Sequence, residues 1–371
     1  MKKKSFSIVS STLFTYLIML LLFICVRIFF LYAQLPFSDN VSDIITTLVV
    51  QGLLMFGLPI FLYSAFRGQS RKTTFADYKY NKISLSPVLL CVVIGVLCYF
   101  LNTFVASFFN TVIKLVGFEN LPTNSAITTV DYSFGTFLVQ IMTVAILPAI
   151  CEETAHRGLL LNGLSRLGVV KALMLSSVMF GLMHLSIQQF FYTTILGFII
   201  GLAVVISQSI WPGVIIHFMN NFLSTYFTFA AANNWPGASI PQTLTAFLYS
   251  GGGGLSFLLS TIIFLSVLVI LIVLLFFSLL KQTRFKKVGK MMSDIAQINQ
   301  EMQANPSMDP NLMTLYMLNQ FATQYGTNEQ LIFTHLEKKD KKLSGLQRVM
   351  LVGIIVMGAF VTMSTFVWGV V

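Results

Sequence analysis

Apolar residues fill the chain in long runs, and polar residues are confined to short breaks between them. The runs cover approximately residues 7–33, 44–66, 87–110, 134–164, 170–187, 190–207, 212–232, 255–280 and 349–369. Most reach about 20 residues, the length an α-helix needs to cross about 30 Å of hydrocarbon. The pattern predicts an all-α, polytopic transmembrane bundle of nine spans. Composition excludes the soluble alternative: of 371 residues 56% are hydrophobic and only 10% charged, where a soluble domain carries about 25% charged residues.

Charge then orients the bundle. With the N-terminus cytoplasmic, 21 of the 23 Lys and Arg residues fall in cytoplasmic segments, and only Arg27 and Lys114 fall toward the other side. This satisfies the retention of basic loops in the cytoplasm. The net charge of +10 therefore reads as loops lying beside anionic lipid, and nucleic acid is not an expected partner. Lys2, Lys3 and Lys4 precede an apolar run as in a signal peptide, but the run continues past Val26 without a small-residue cleavage site, so an uncleaved first span is expected. Cys25, Cys91, Cys98 and Cys151 all sit inside apolar runs, which leaves neither a disulfide framework nor a zinc-finger spacing.

The expected division is an N-terminal membrane part over residues 1–129, a core over 130–232, a loop and span over 233–280, a basic cytoplasmic segment over 281–348 and a final span over 349–371. In the basic segment, Asp309–Pro310 and the pair Thr327 and Gln330 are helix-start signals. Leu312, Leu315, Leu318 and Phe321 follow at helical spacing, so an amphipathic element and a solvated basic linker are both open readings.

Ionisable groups inside a bilayer are costly and by default mark function. In the core they are few: Glu152, Glu153 and Arg157 on the fourth span, with His156, His184 and His217 on three different spans. Glu153 and Arg157 are four apart and share a helix face, so they are expected to pair. Glu152 is turned about 100° away and is free to face something else. Pro148 removes a backbone donor and crowds the carbonyl of Val144, which predicts a kink just before the carboxylates. His217 and Asn221 share a face one turn apart. His156 is expected to be a polar residue near the inner interface, and His335 stands alone in the cytoplasmic segment. Helix-rise counting places Glu152 and His184 about 20 Å deep and His217 and Asn221 shallower. A carboxylate and an imidazole positioned on one water can deprotonate it for attack on a carbonyl, while a second imidazole and an amide donate to the oxyanion. That set describes a hydrolase of amide or ester bonds.

Glu152-Glu153 with Arg157, then Phe180 with His184, then His217 with Asn221, resembles the three ordered motifs of the CPBP family, the CAAX proteases and bacteriocin-processing enzymes also called Abi proteins, which include the Ras-converting endopeptidases. The resemblance covers about residues 130–232. It implies an intramembrane glutamic-type endopeptidase with a cavity open to the cytoplasm, acting on a membrane-associated peptide or protein in, for a bacterial chain, the plasma membrane. It implies that Glu152 and His184 activate water and that His217 and Asn221 hold the oxyanion. Glu153 completes the catalytic set, with orientation and charge balance assigned to it and to Arg157, and Phe180 supports. No cofactor is implied.

Two other readings stay open. Glu152, His184 and His217 make a carboxylate and two-imidazole set for zinc, although no His-Glu-x-x-His motif is present. A non-proteolytic transporter or adaptor would use the same polar groups for an ion or partner, with Pro148, Gly181 and Gly213 as helix breaks; internal pseudo-symmetry, common in transporters, is missing. Oligomeric state and substrate identity are not readable from the residues.

Overall fold

A computed structural model describes residues 6–32, 39–115, 131–250, 254–285 and 343–368, together with the single residues 293 and 300. The described chain is helical throughout and contains no strand. This follows from the sequence, because in hydrocarbon every backbone N–H and C=O must be satisfied within its own segment.

Each predicted run is a helix. We number them α1 (Ile8–Tyr32), α2 (Asn40–Arg67), the short α3 (Arg71–Asp77), α4 (Leu85–Leu115), α5 (Phe134–Leu167), α6 (Val169–Leu182), α7 (Ile187–Ser207), α8 (Trp211–Asn233), α9 (Ile240–Tyr249), α10 (Leu255–Leu280) and α11 (Gly345–Trp368). Seven of them, α1, α2, α4, α5, α7, α10 and α11, are long and apolar enough to cross a membrane, and the chain is a multi-pass membrane protein. The basic segment with its Asp309, Pro310, Thr327 and Leu312–Phe321 signals, and His335, lies outside the described residues.

The expected fifth span is corrected by α6. It holds 14 residues and ends at Leu182, not at 187. At 1.5 Å per residue it rises about 21 Å, too little to cross the hydrocarbon. The chain reverses over Met183–Ser186, with Leu185 in the left-handed region at φ 52°. A helix end at that depth needs partners for its carbonyls. Thr362 of α11 donates to the Leu182 carbonyl, and the backbone N–H of His184 and of Leu185 reach back to Gly181 and Leu182.

The two long cores explain the architecture. One packs α1, α2, the second half of α5, α6 and α11 around Tyr16, Tyr78 and Leu159; the other packs α4, α7, α8 and α10 around Cys98, Ile200 and Ile216. Gly181 and Gly213, expected as helix breaks, are close-approach positions instead. A methyl at Gly181 would collide with Thr194 of α7, and one at Gly213 would stand 3.0 Å from Oε2 of Glu153. Small residues at such contacts let helix backbones approach closely in membranes.

The start of α5 is fixed by its own side chains. Ser133 accepts from the Thr136 N–H as a cap, and Asp131 accepts from Ser133 and Thr136. Those hydrogen bonds, the Ser133 hydroxyl first, hold the exposed Asp131 carboxyl below its usual range.

Candidate active site

Both α2 and α5 carry stretches of wider, π-type turns, Leu48–Gly57 in α2 and Ile141–Ile146 with Thr154–Leu161 in α5. Such turns re-aim side chains and recur at functional sites. Here they bring Gln51 against Glu152, where Gln51 Nε2 donates to Glu152 Oε1 at 2.8 Å. The other carboxylate oxygen, Oε2, lies 4.0 Å from Nε2 of His217.

Glu153 faces the opposite way. It is fully buried, accepts from Arg157 Nη1 at 2.8 Å, and lies 2.9 Å from Nδ1 of His217. The expected pair with Arg157 is therefore present, and it also grips His217. Arg157 donates through Nη2 to the Gly197 carbonyl and lies 4.5 Å from the centroid of the Phe180 ring. Phe180 stands edge-on to three imidazoles, those of His156, His184 and His217, with ring centroids 5.1–5.5 Å apart.

His184 sits in the turn after α6, and its Nδ1 is 2.9 Å from the Phe180 carbonyl. A carbonyl oxygen only accepts, so Nδ1 carries the proton and Nε2 of the neutral ring is left as the acceptor. Asn221 donates through Nδ2 to the carbonyl of Val144 at 2.9 Å. That is the carbonyl which Pro148 leaves without its helical partner. The Asn221 oxygen accepts from Asn220, and Asn220 in turn accepts from Asn102 of α4. This chain of amides turns the Asn221 NH₂ toward Val144.

Glu152, His184, His217 and Asn221 line one cavity of about 500 Å³, together with Phe180, Pro148, Asn102 and Asn220. Glu153 and Arg157 do not line it. The greater depth assigned to Glu152 over His217 by counting residues is corrected. Glu152 Oε2 and His217 Nε2 lie 4.0 Å apart, at one level, and the start of α8 is tucked under the loop 79–82, with Ile210 completely buried and its N–H donating to the Lys79 carbonyl.

His156 is also corrected. It is not an interfacial residue but 1% exposed, with Nδ1 2.9 Å from the Glu152 carbonyl and Nε2 3.2 Å from the Tyr16 hydroxyl of α1. Reading the residues alone missed Gln51, Asn102, Asn220 and Tyr16. Each is a polar group inside an apolar run, and a search for amides and phenols as well as ionisable groups would have found them.

Chemically, the cavity gathers one carboxylate, one imidazole with a free acceptor nitrogen, and a second imidazole and an amide held by their own partners. That is the inventory for activating a water and receiving an oxyanion. Among the described residues no three His, Cys, Asp or Glu side chains come together as a metal-holding group.

Comparison with known proteins places a family on this segment. Residues 134–223 match the model of the type II CAAX prenyl endopeptidase, Rce1-like family, a stretch that contains Glu152, His184, His217 and Asn221. No curated protein and no solved structure matches the chain. The match implies a protease acting within the bilayer on membrane-associated substrates. The cavity-bearing helices α5 to α8 thus carry an Rce1-like segment, consistent with the CPBP/CAAX protease family.

Proposed function

We propose that the protein is an intramembrane endopeptidase of glutamic type that needs no metal. The observation that carries this reading is the division of labour between two adjacent carboxylates: Glu152 faces the cavity, while Glu153 is buried against Arg157 and His217. In the proposed reaction a water sits between Glu152 and Nε2 of His184. Glu152 takes one proton as the water oxygen bonds to the scissile carbonyl carbon. Nδ1 of His217 donates to Glu153, so its Nε2 carries a proton in the imidazolium form of the ring, set between the two carboxylates; in that form Nε2, with the second N–H of Asn221, donates to the oxyanion. The carbon–nitrogen bond then breaks, the proton passes from Glu152 to the leaving nitrogen, and a carboxylic acid and an amine result.

Gln51 is a positioning residue in this scheme. Its N–H on Oε1 holds the rotamer of Glu152 and leaves Oε2 on the side of His217. Glu153 acts through His217, fixing the imidazole from behind.

The test is cleavage of a membrane-tethered reporter peptide by the purified protein in lipid nanodiscs. Glu152→Gln and His184→Ala are each expected to lower the rate by about 10²–10⁴-fold, the usual scale for lost acid–base groups, with unchanged yield of folded protein. Wild-type cleavage by Glu152→Gln would remove the proposal. Incubation with excess chelator is expected to leave the rate unchanged. Loss of activity on chelation, restored by zinc, would instead assign Glu152, His184 and His217 as ligands.

A further inference from the structure

All the helices share two ends. At one lie the starts of α1, α4, α6, α8 and α11 and the ends of α2, α5, α7 and α10, tied together by Arg67 to the Phe6 carbonyl, Asn81 to the Gln208 carbonyl, Ser86 to Gln282 and Gln347 to Ser10. At the other end, Asn40 donates to Thr136, Gln140 to Asp43 and Asn233 to the Tyr132 carbonyl. The first end carries Arg67, Arg71, Lys72, Lys79, Lys82, Arg166 and Lys171 with Asp77 as its only described carboxylate. The second carries Asp43 and Asp131, with Arg27 and Lys114 as the exceptions. Retention of basic loops makes the first end cytoplasmic.

Burial differs sharply between the two ends. From Glu153 to Leu161 every residue of α5 is buried, which includes the uncharged plug of Leu159, Leu160 and Leu161. Pro212, Gly213, Val214, Ile216 and His217 of α8, which packs on the Ile141–Glu153 part of α5, are buried as well. None of the residues from Thr154 to Leu161 or from Pro212 to Ile216 lines the cavity. On the other side of Glu152, the cavity walls loosen. Val144 is 39% exposed, Ser224 is exposed, and Ala106 and Gln189 are half-buried, and all four line the cavity. Ala106, Thr143 and Ser224 each lie nine residues from their helix ends at Leu115, Phe134 and Asn233, about 14 Å of rise. The short α6 contributes to the same opening, since its final turn stops below the membrane surface and leaves His184 on the cavity.

We infer that the active-site cavity opens at the acidic, extracytoplasmic end of the bundle and takes a membrane-associated peptide from that side. The word substrate rests on the proteolytic reading above; the direction of opening does not. The inference departs from the cytoplasmic mouth that the family resemblance implies. It also narrows the peptide. Among the described residues Glu152 is the only Asp, Glu, Lys or Arg lining the cavity, beside Tyr99, Thr103, Tyr192 and Thr193. The residues flanking the cut are therefore uncharged, small polar or aromatic, and an acidic side chain there would be repelled by Glu152.

Accessibility chemistry tests the opening without relying on cleavage. Cys25 is the one exposed native thiol, so Ser224→Cys and, separately, Arg71→Cys are placed in a Cys25→Ala chain. Each is treated with a small membrane-impermeant thiosulfonate in intact cells and in inverted vesicles. Ser224→Cys is expected to react at least tenfold faster in intact cells, and Arg71→Cys at least tenfold faster in inverted vesicles. Reaction of Ser224→Cys only in inverted vesicles, in neither preparation, or on the same side as Arg71→Cys overturns the inference. Two reporters, tethered on opposite faces of the membrane, then test the substrate: the extracytoplasmic one is expected to be cut. Labelling as expected with no cleavage of either reporter removes the proteolytic reading alone, while cleavage of only the cytoplasmic reporter overturns the direction of entry.

Discussion

Glu152 divides α5 into two unlike halves. On the side of the basic loops, Glu153–Leu161 is packed on every face, and its two charges, Glu153 and Arg157, are completely buried and paired at 2.8 Å. On the other side, the stretch from Ile141 to Glu152 alternates buried and exposed residues, with Met142 47% and Val144 39% exposed, and fronts the cavity. The same helix thus supplies a rigid support and a reactive surface. Neighbouring carboxylates separated by one peptide bond fall on opposite sides of that boundary, which is why two are present where an ion pair alone needs one.

The strongest way to break this comparison is to remove the buried cation. Arg157→Met leaves Glu153 buried opposite His217 without its main partner, and loss of one member of a buried pair costs about 3–5 kcal/mol. The expected outcome is a large drop in folded yield and in denaturation midpoint in detergent. Glu153→Gln combined with Arg157→Met should recover part of the loss, because the uncompensated charge is gone. Glu152→Gln, on the cavity side, is expected to shift stability by less than about 1 kcal/mol, since the Gln51 contact is a single hydrogen bond. Equal destabilisation by Arg157→Met and Glu152→Gln would erase the distinction between the halves.

The two halves also differ in how far they could be read from the residues. The supporting half follows local rules: Glu153 and Arg157 meet because they are four apart, and Glu152 is turned off that face. The cavity half depends on partners remote in the chain. Gln51 meets Glu152 across 101 positions, and Asn221 meets the Val144 carbonyl across 77. Helical periodicity carries no information about such pairs. Counting from span ends failed for His217 for a related reason, since the start of α8 is covered by the loop at Lys79. The short α6 was overestimated because its apolar run continues through Leu182-Met183 into Ile187, and hydropathy alone does not register the reversal at Leu185. What was legible in both halves is the existence and kind of the helices and the ordered motif residues, because these depend on local pattern.

A smaller perturbation sharpens the boundary from the side of α8. A methyl at Gly213 would stand 2.9 Å from Val204 Cγ2 and 3.0 Å from Glu153 Oε2. Gly213→Ala must push one of them, and overpacking of this kind costs about 1–3 kcal/mol. Because Glu153 holds His217, the variant is expected to lose cleavage rate as well as stability. An apolar contact in the other core, such as Ile354→Val of α11, should cost about 0.5–1.5 kcal/mol and leave the rate per folded molecule unchanged. Parallel losses in both variants would show that Gly213 matters only for packing.

The gentlest test acts on the cavity side alone. Asn102 donates to Asn220, Asn220 donates to Asn221, and Asn221 donates to the Val144 carbonyl that Pro148 has released. Polar contacts between membrane helices average about 0.6 kcal/mol, so Asn102→Leu is expected to change stability little. Its effect should appear in the reaction. Without Asn102 the Asn220 amide is free to rotate, and the Asn221 NH₂ loses the constraint that sets its second N–H for the oxyanion. A five- to tenfold fall in kcat with KM unchanged is expected, about 1–1.4 kcal/mol of transition-state stabilisation. A rise in KM at constant kcat would instead make Asn102 a substrate contact, and the amide chain would then belong to binding rather than to support.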